Sequence, residues 1–146
     1  DLVRSRGLGD VYKRQIVNTA SIAGLVTGDR APLYSTTEHA VVRITEALHA
    51  SLAERATPIG VTLLCPGLVR TEIYQSELTG PDACLTPGEA APAQVGPTTD
   101  VSDMLDPSAV AEAVFEAVRQ GQFYLLTSSA FDSEIRQRLE AISLRR

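Results

Sequence analysis

The sequence predicts an α/β fold, a parallel sheet of three strands with flanking helices. Three observations predict it. Short apolar runs alternate with longer Gly- and Pro-free segments, in the order strand, helix, strand, loop, helix, strand, helix. One run, Val61-Thr62-Leu63-Leu64-Cys65, is almost continuously apolar, as expected of a strand covered on both faces. No run approaches 18 apolar residues, so no segment reads as a transmembrane helix. Strands that alternate with helices imply parallel pairing through right-handed crossovers.

Composition narrows the class. The 146 residues amount to one domain's worth of chain, 44% hydrophobic and 21% charged, which excludes collagen-like, coiled-coil and wholly disordered chains. The net charge is −5, without a concentrated basic patch, so neither nucleic acid nor an anionic membrane is an expected partner. Cys65 and Cys84 form neither a metal-ligand spacing nor a disulfide framework, which fits a reduced, cytoplasmic setting. Residues 1–15 stand apart. They carry four basic and two acidic residues, against nine basic and sixteen acidic in the remaining 131, and they hold the only Lys. DVYKRQ looks like the translated end of a sequencing adaptor. Residues 1–15 are therefore read as a non-native scar, with the native chain entering upstream of Ile16.

The elements follow in order. Residues 16–20, IVNTA, are β-branched and end in small residues, which predicts a strand leading into a loop through Gly24, Gly28 and Pro32. Residues 34–56 lack Gly and Pro, and Val41, Ile44, Leu48 and Leu52 recur at helical spacing. Ala40, Val42 and Ala47 broaden that stripe, so one face would pack on the sheet and the other meet a partner subunit. Pro58-Ile59-Gly60 breaks the helix before the strand at 61–65, which Pro66-Gly67 ends. A short helix is expected at 71–78, then a long loop over 79–105 with four Pro and three Gly. Asp106 is placed to cap a helix with Pro107 at its first position, presenting Val110, Ala113, Val114 and Val118 and stopping at Gly121. Residues 123–127 read as a third strand. Residues 132–144 read as an amphipathic helix with Ile135, Leu139 and Ile142 on one face.

Chemistry in such a sheet gathers at the carboxyl ends of the strands. Ser21 follows the first strand, Tyr34 opens the first helix thirteen residues later, and Pro66-Gly67-Leu68-Val69-Arg70-Thr71 follows the second strand. The segments NTASIAGL (18–25), YSTTEHAVV (34–42) and CPGLVRTE (65–72) together resemble the short-chain dehydrogenase/reductase family of NAD(P)-dependent oxidoreductases. The resemblance covers the C-terminal half of that family's domain, here 16–146. It implies a doubly wound, Rossmann-like fold, with NAD or NADP as cofactor and a small carbonyl or alcohol as substrate. Ser21 would hydrogen-bond the substrate oxygen. Tyr34 would be the general acid in reduction and the base in oxidation, because a hydride reaching a carbonyl carbon leaves charge on oxygen that a placed donor must meet. Pro66, Gly67, Val69 and Thr71 would line the nicotinamide end of the cofactor, and the small Ala20 would let the ring lie close to the strand. The loop 79–105 would cover the substrate, and the helix 34–56 would carry a homo-oligomer interface.

Two departures stand out. The family places a Lys four residues after the Tyr, and this chain places Glu38 there. Positions i and i+4 share a helix face, so Glu38 stands where the ammonium would. At about 6 Å and an effective dielectric of about 20, a unit charge is worth roughly 3 kcal/mol, and a carboxylate applies it with the wrong sign. The chain as written is expected to be very weak or dead in hydride transfer. Lys and Glu codons differ by one base, so a read error and a real change both stand. The second departure is that the Gly-rich phosphate loop, the ribose selector and the active-site Asn all belong to the family's N-terminal half. Cofactor binding would thus be incomplete here, and the first strand would have an open edge. The rival to an enzyme fragment is a non-catalytic relative that binds a nucleotide or a partner.

Other residues read more plainly. His39 and His49 have no ligand partners or acidic orienter at a fitting spacing and are taken as surface or interface residues. No G-x-S-x-G elbow supports a hydrolase. No metal site is expected. Cys65 reads as a small buried apolar residue at a strand end.

Overall fold

The structure, a computed structural model, describes residues 14–26, 32–71 and 104–145. β1 (Gln15–Thr19), β2 (Gly60–Cys65) and β3 (Tyr124–Leu126) form one parallel sheet in that spatial order. Asn18 pairs with Leu63, and Leu63 with Tyr124; Leu64 pairs with Leu125, and Cys65 with Leu126. β1 begins at Gln15, and the Gly60 N–H donates to the Arg14 carbonyl, so pairing reaches into the stretch expected to be a scar. Residues 1–13, the 71–78 helix beyond Thr71, most of the 79–105 loop and Cys84 lie outside the described residues.

Side-chain alternation along β2 builds two cores. Leu63 and Cys65 have no exposed surface and pack with Ala20 and with Val42 of α1 (Pro32–Glu54). Leu64 faces the other way, onto Leu125 and onto Ala117 of α2 (Pro107–Gln120). The two helices therefore cover opposite faces of the sheet. Since β1, β2 and β3 run in one direction across it, the two crossovers have opposite hands. This corrects the expectation of right-handed connections throughout.

Pro32 opens α1 two residues before the expected start, at a helical position where its fixed φ and missing N–H are tolerated. The helix stops at Glu54, and Ala56 follows with φ of 50°, in the left-handed region that ends helices. Its inward face is centred on Val42 and Thr45. Ile44 is 66% exposed, because it lies two residues round from Val42, on the far side of the helix. Asp106 caps α2 as expected, accepting from the Ser108 N–H at 2.9 Å, and Gly121 ends it with φ of 66°. α3 (Asp132–Leu144) matches its expected span but buries none of its residues. Ile135 is half-buried, whereas Leu139 and Ile142 are exposed. No helix among the described residues is long and apolar enough to cross a membrane.

Candidate active site

The three motif segments meet where β1 and β2 end. Ala20 is buried at the exit of β1, and its N–H donates to the Leu64 carbonyl at 2.8 Å. Ser21 caps a single 3₁₀ turn, Ile22–Gly24, its Oγ accepting from the Ala23 N–H at 3.2 Å. A hydroxyl so used keeps its O–H to donate elsewhere. The Ile22 N–H donates to the Pro66 carbonyl at 3.0 Å, which ties the serine turn to the Pro-Gly turn after β2.

Gly24 brings in the third segment. A Cβ there would lie 2.8 Å from the Glu38 carbonyl oxygen and 2.9 Å from both the Glu38 carbonyl carbon and Val42 Cγ2. The serine turn thus rests directly on the backbone of α1 at Glu38, one helical turn beyond Tyr34. Tyr34 lies in the first turn of α1 and is 50% exposed. Glu38 is half-buried, and burial holds its carboxyl above the ordinary carboxylate range.

The strip 66–71 is clamped from the far side of the chain. Val69 forms a parallel bridge with Leu105, with the Arg70 N–H on the Leu105 carbonyl at 2.9 Å and the Leu105 N–H on the Leu68 carbonyl at 3.0 Å. Arg70 Nη2 lies 3.9 Å from Asp106 Oδ2. Two hydrogen bonds from Ser108, with a smaller contribution from Arg70, hold the Asp106 carboxyl below its usual range. Residues 104–106 are thereby fastened beside the strip. Thr71 is exposed at its end.

Sequence reasoning missed a buried polar pair beneath the site. Asn18 Nδ2 donates to Thr45 Oγ1 at 3.0 Å, and Thr45 Oγ1 donates to the Val41 carbonyl at 2.8 Å. Thr45 has no exposed surface. The signal was a Thr in the middle of an apolar helix face. It also missed Tyr124, whose hydroxyl donates to Glu46 Oε1 at 2.7 Å. Burial, followed by that hydrogen bond and the carboxylate's charge, pushes the phenol up to about 12. His49 stacks on Phe123 with ring centroids 4.3 Å apart, and His39 Nδ1 lies 2.8 Å from the Ser35 carbonyl. Cys65 is fully buried, and burial above all pushes its thiol up to about 11, so it is an inert core residue. A groove of about 510 Å³ runs between α1, β3 and α3, but its walls include neither Ser21, Tyr34 nor the 66–71 strip. Among the described residues no cluster of His, Cys, Asp and Glu could hold a metal ion.

The family model for short chain dehydrogenases matches residues 10–81, a stretch that holds all three motif segments. The chain is 33% identical to a 1-deoxy-11-beta-hydroxypentalenate dehydrogenase of Streptomyces exfoliatus, covering 84% of this chain and 38% of that protein. It is 29% identical to a CLA biosynthesis dehydrogenase/reductase of Lactiplantibacillus plantarum, covering 87% and 47%. A short chain dehydrogenase/reductase from Burkholderia phymatum, solved in complex with NAD, superposes with a TM-score of 0.74 at 33% identity, covering 95% of this chain and 51% of that one. The chain spans half or less of the length of these curated relatives. With its motifs, its sheet and these matches in agreement, the chain belongs to the short-chain dehydrogenase/reductase family.

Proposed function

We propose that this chain carries the catalytic part of an NAD(P)-dependent oxidoreductase that interconverts a carbonyl and a secondary alcohol. The observation that carries the reading is the double tether of the serine turn, to α1 through Gly24 and to the Pro-Gly turn through Ile22. It gathers Ser21, the Tyr34 helix and the strip 66–71 at one end of the sheet, where α/β folds bind ligands. The residues present fit the nicotinamide end of the cofactor. Ala20 offers only a methyl at the strand exit, and Pro66 to Val69 are half-buried beside it. When bound, the cofactor would supply or accept the hydride. Ser21 would hold the substrate oxygen with its free O–H, and Tyr34 would give or take the proton.

Glu38 stands at the position from which a cation would assist the Tyr34 phenol, so turnover is impaired in the chain as written. The same residue favours a second reading, a relative that binds nucleotide without turning over. The names of the relatives, a hydroxypentalenate dehydrogenase and a dehydrogenase/reductase, support a hydroxylated small molecule as substrate. Leu33 and Ile44 are exposed on α1, which supports self-association through that helix.

The test uses the full-length gene product with NADH and NADPH for binding and with NAD+ and NADP+ for turnover. Cofactor binding is titrated by fluorescence, and reduced cofactor is followed by absorbance with a panel of linear and cyclic secondary alcohols. The reading expects cofactor binding, and low turnover that Tyr34→Phe abolishes. Absence of binding contradicts it. Binding without any turnover, in both the Glu38 protein and Glu38→Lys, selects the second reading.

A further inference from the structure

The peptide unit joining Pro66 to Gly67 is bonded at both ends to distant parts of the chain. Its carbonyl accepts from the Ile22 N–H at 3.0 Å, in the turn that carries Ser21. Its N–H donates to Thr127 Oγ1 at 3.3 Å, sixty residues further on and just past β3. A trans peptide points these two groups in opposite directions. This unit is therefore a strut between the exits of β1 and β3.

Ser128 fixes how deep the strut sits. A Cβ on Gly67 would lie 2.9 Å from Ser128 Cβ, closer than carbon atoms of two side chains approach. Gly67 does not have positive φ; among the described glycines only Gly121 does. Glycine at 67 thus answers a shortage of space and not a need for left-handed backbone. Ser128 is itself held, its Oγ accepting from the Ala130 N–H at 3.3 Å.

We infer that Thr127 and Ser128 are positioning residues for the cofactor-binding strip. Thr127 pins the Gly67 amide, and the Cβ of Ser128 sets the depth of the Pro-Gly turn. Through Ile22 the same strut couples the strip to Ser21. The inference rests on the reading above, that residues 66–71 line the cofactor.

The experiment compares Thr127→Val, Thr127→Ser, Gly67→Ala, and Gly67→Ala combined with Ser128→Gly in the full-length gene product. Three quantities are read: hydrogen exchange of the backbone amide at position 67, Kd for NADH, and Tm. Thr127→Val keeps the shape and removes the acceptor. It is expected to speed exchange at Gly67, to weaken NADH about 3- to 10-fold, and to lower Tm by no more than the few degrees that one lost hydrogen bond is worth. Thr127→Ser restores both. Gly67→Ala weakens NADH binding, and Ser128→Gly in the same chain recovers it. Unchanged exchange in Thr127→Val overturns the inference whatever the binding does, as does failure of Ser128→Gly to rescue. Faster exchange with unchanged NADH binding overturns the positioning role and places the failure in the assignment of 66–71 to the cofactor.

Discussion

Gly24 lies so close to the backbone of Glu38 that a Cβ on the glycine would fall 2.8 Å from the glutamate's carbonyl oxygen. The contact is backbone to backbone. It fixes the serine turn on α1 whatever side chain stands at position 38. On the proposed function, a change at 38 would alter the chemistry of Tyr34 while leaving the frame intact.

Gly24→Ala tests that frame. The added methyl meets backbone and Val42 Cγ2, neither the far end of a flexible side chain, so the turn must lift off α1. The expected cost is about 1–3 kcal/mol in urea unfolding, the range for overpacking a tight contact. Activity should fall by more than stability explains, because Ser21 moves with the turn. Unchanged stability in the Gly24→Ala protein would show that the approach is not tight.

Thr45→Val probes the buried polar pair. It preserves volume but leaves the Asn18 amide without the oxygen it now reaches at 3.0 Å. Denaturant unfolding should show a loss of about 1 kcal/mol, the worth of one hydrogen bond whose donor is only half-buried. Thr45→Ser, which keeps the oxygen, should lose less.

Tyr124 predicts an alkaline limb. Folding raises its phenol from 10 to about 12. The unfolded chain therefore ionises first, and the stabilising contribution, complete below pH 10, drains away as pH climbs through the folded value. Tyr124→Phe should flatten that decline between about pH 10 and pH 12. At neutral pH it should cost only about 1 kcal/mol, since the bond to Glu46 is exposed. Equal slopes in the two proteins would contradict the assignment.

Much of this was legible in the sequence because local rules agreed with tertiary demand. The continuous apolar run at 61–65 is buried on both faces, and Asp106-Pro107 with Gly121 bracket α2 as cap residues do. What was not legible arises between segments. The opposite hands of the crossovers depend on which face α2 chose, and both Leu63 and Leu64 would have accepted it. Which apolar residues of α1 meet the sheet was not legible either, because its stripe is broad and spacing alone does not fix its centre. The bond from Gly67 to Thr127 joins residues sixty positions apart, and no local pattern announces it. Ser21, Tyr34 and the Pro-Gly strip were named from the resemblance of their segments to a known family's motifs. The contacts that assemble them, at Gly24 and Ile22, needed coordinates.

The central claim is that the frame is intact and that Glu38 limits its chemistry. The most direct measurement is turnover of the full-length gene product against its Glu38→Lys variant, with the same secondary-alcohol panel and the same cofactor. A cation beside Tyr34 should raise kcat by about 100-fold or more, the span that placed acid–base catalysis contributes, with Tm nearly unchanged. Equal turnover in the two proteins would contradict the account.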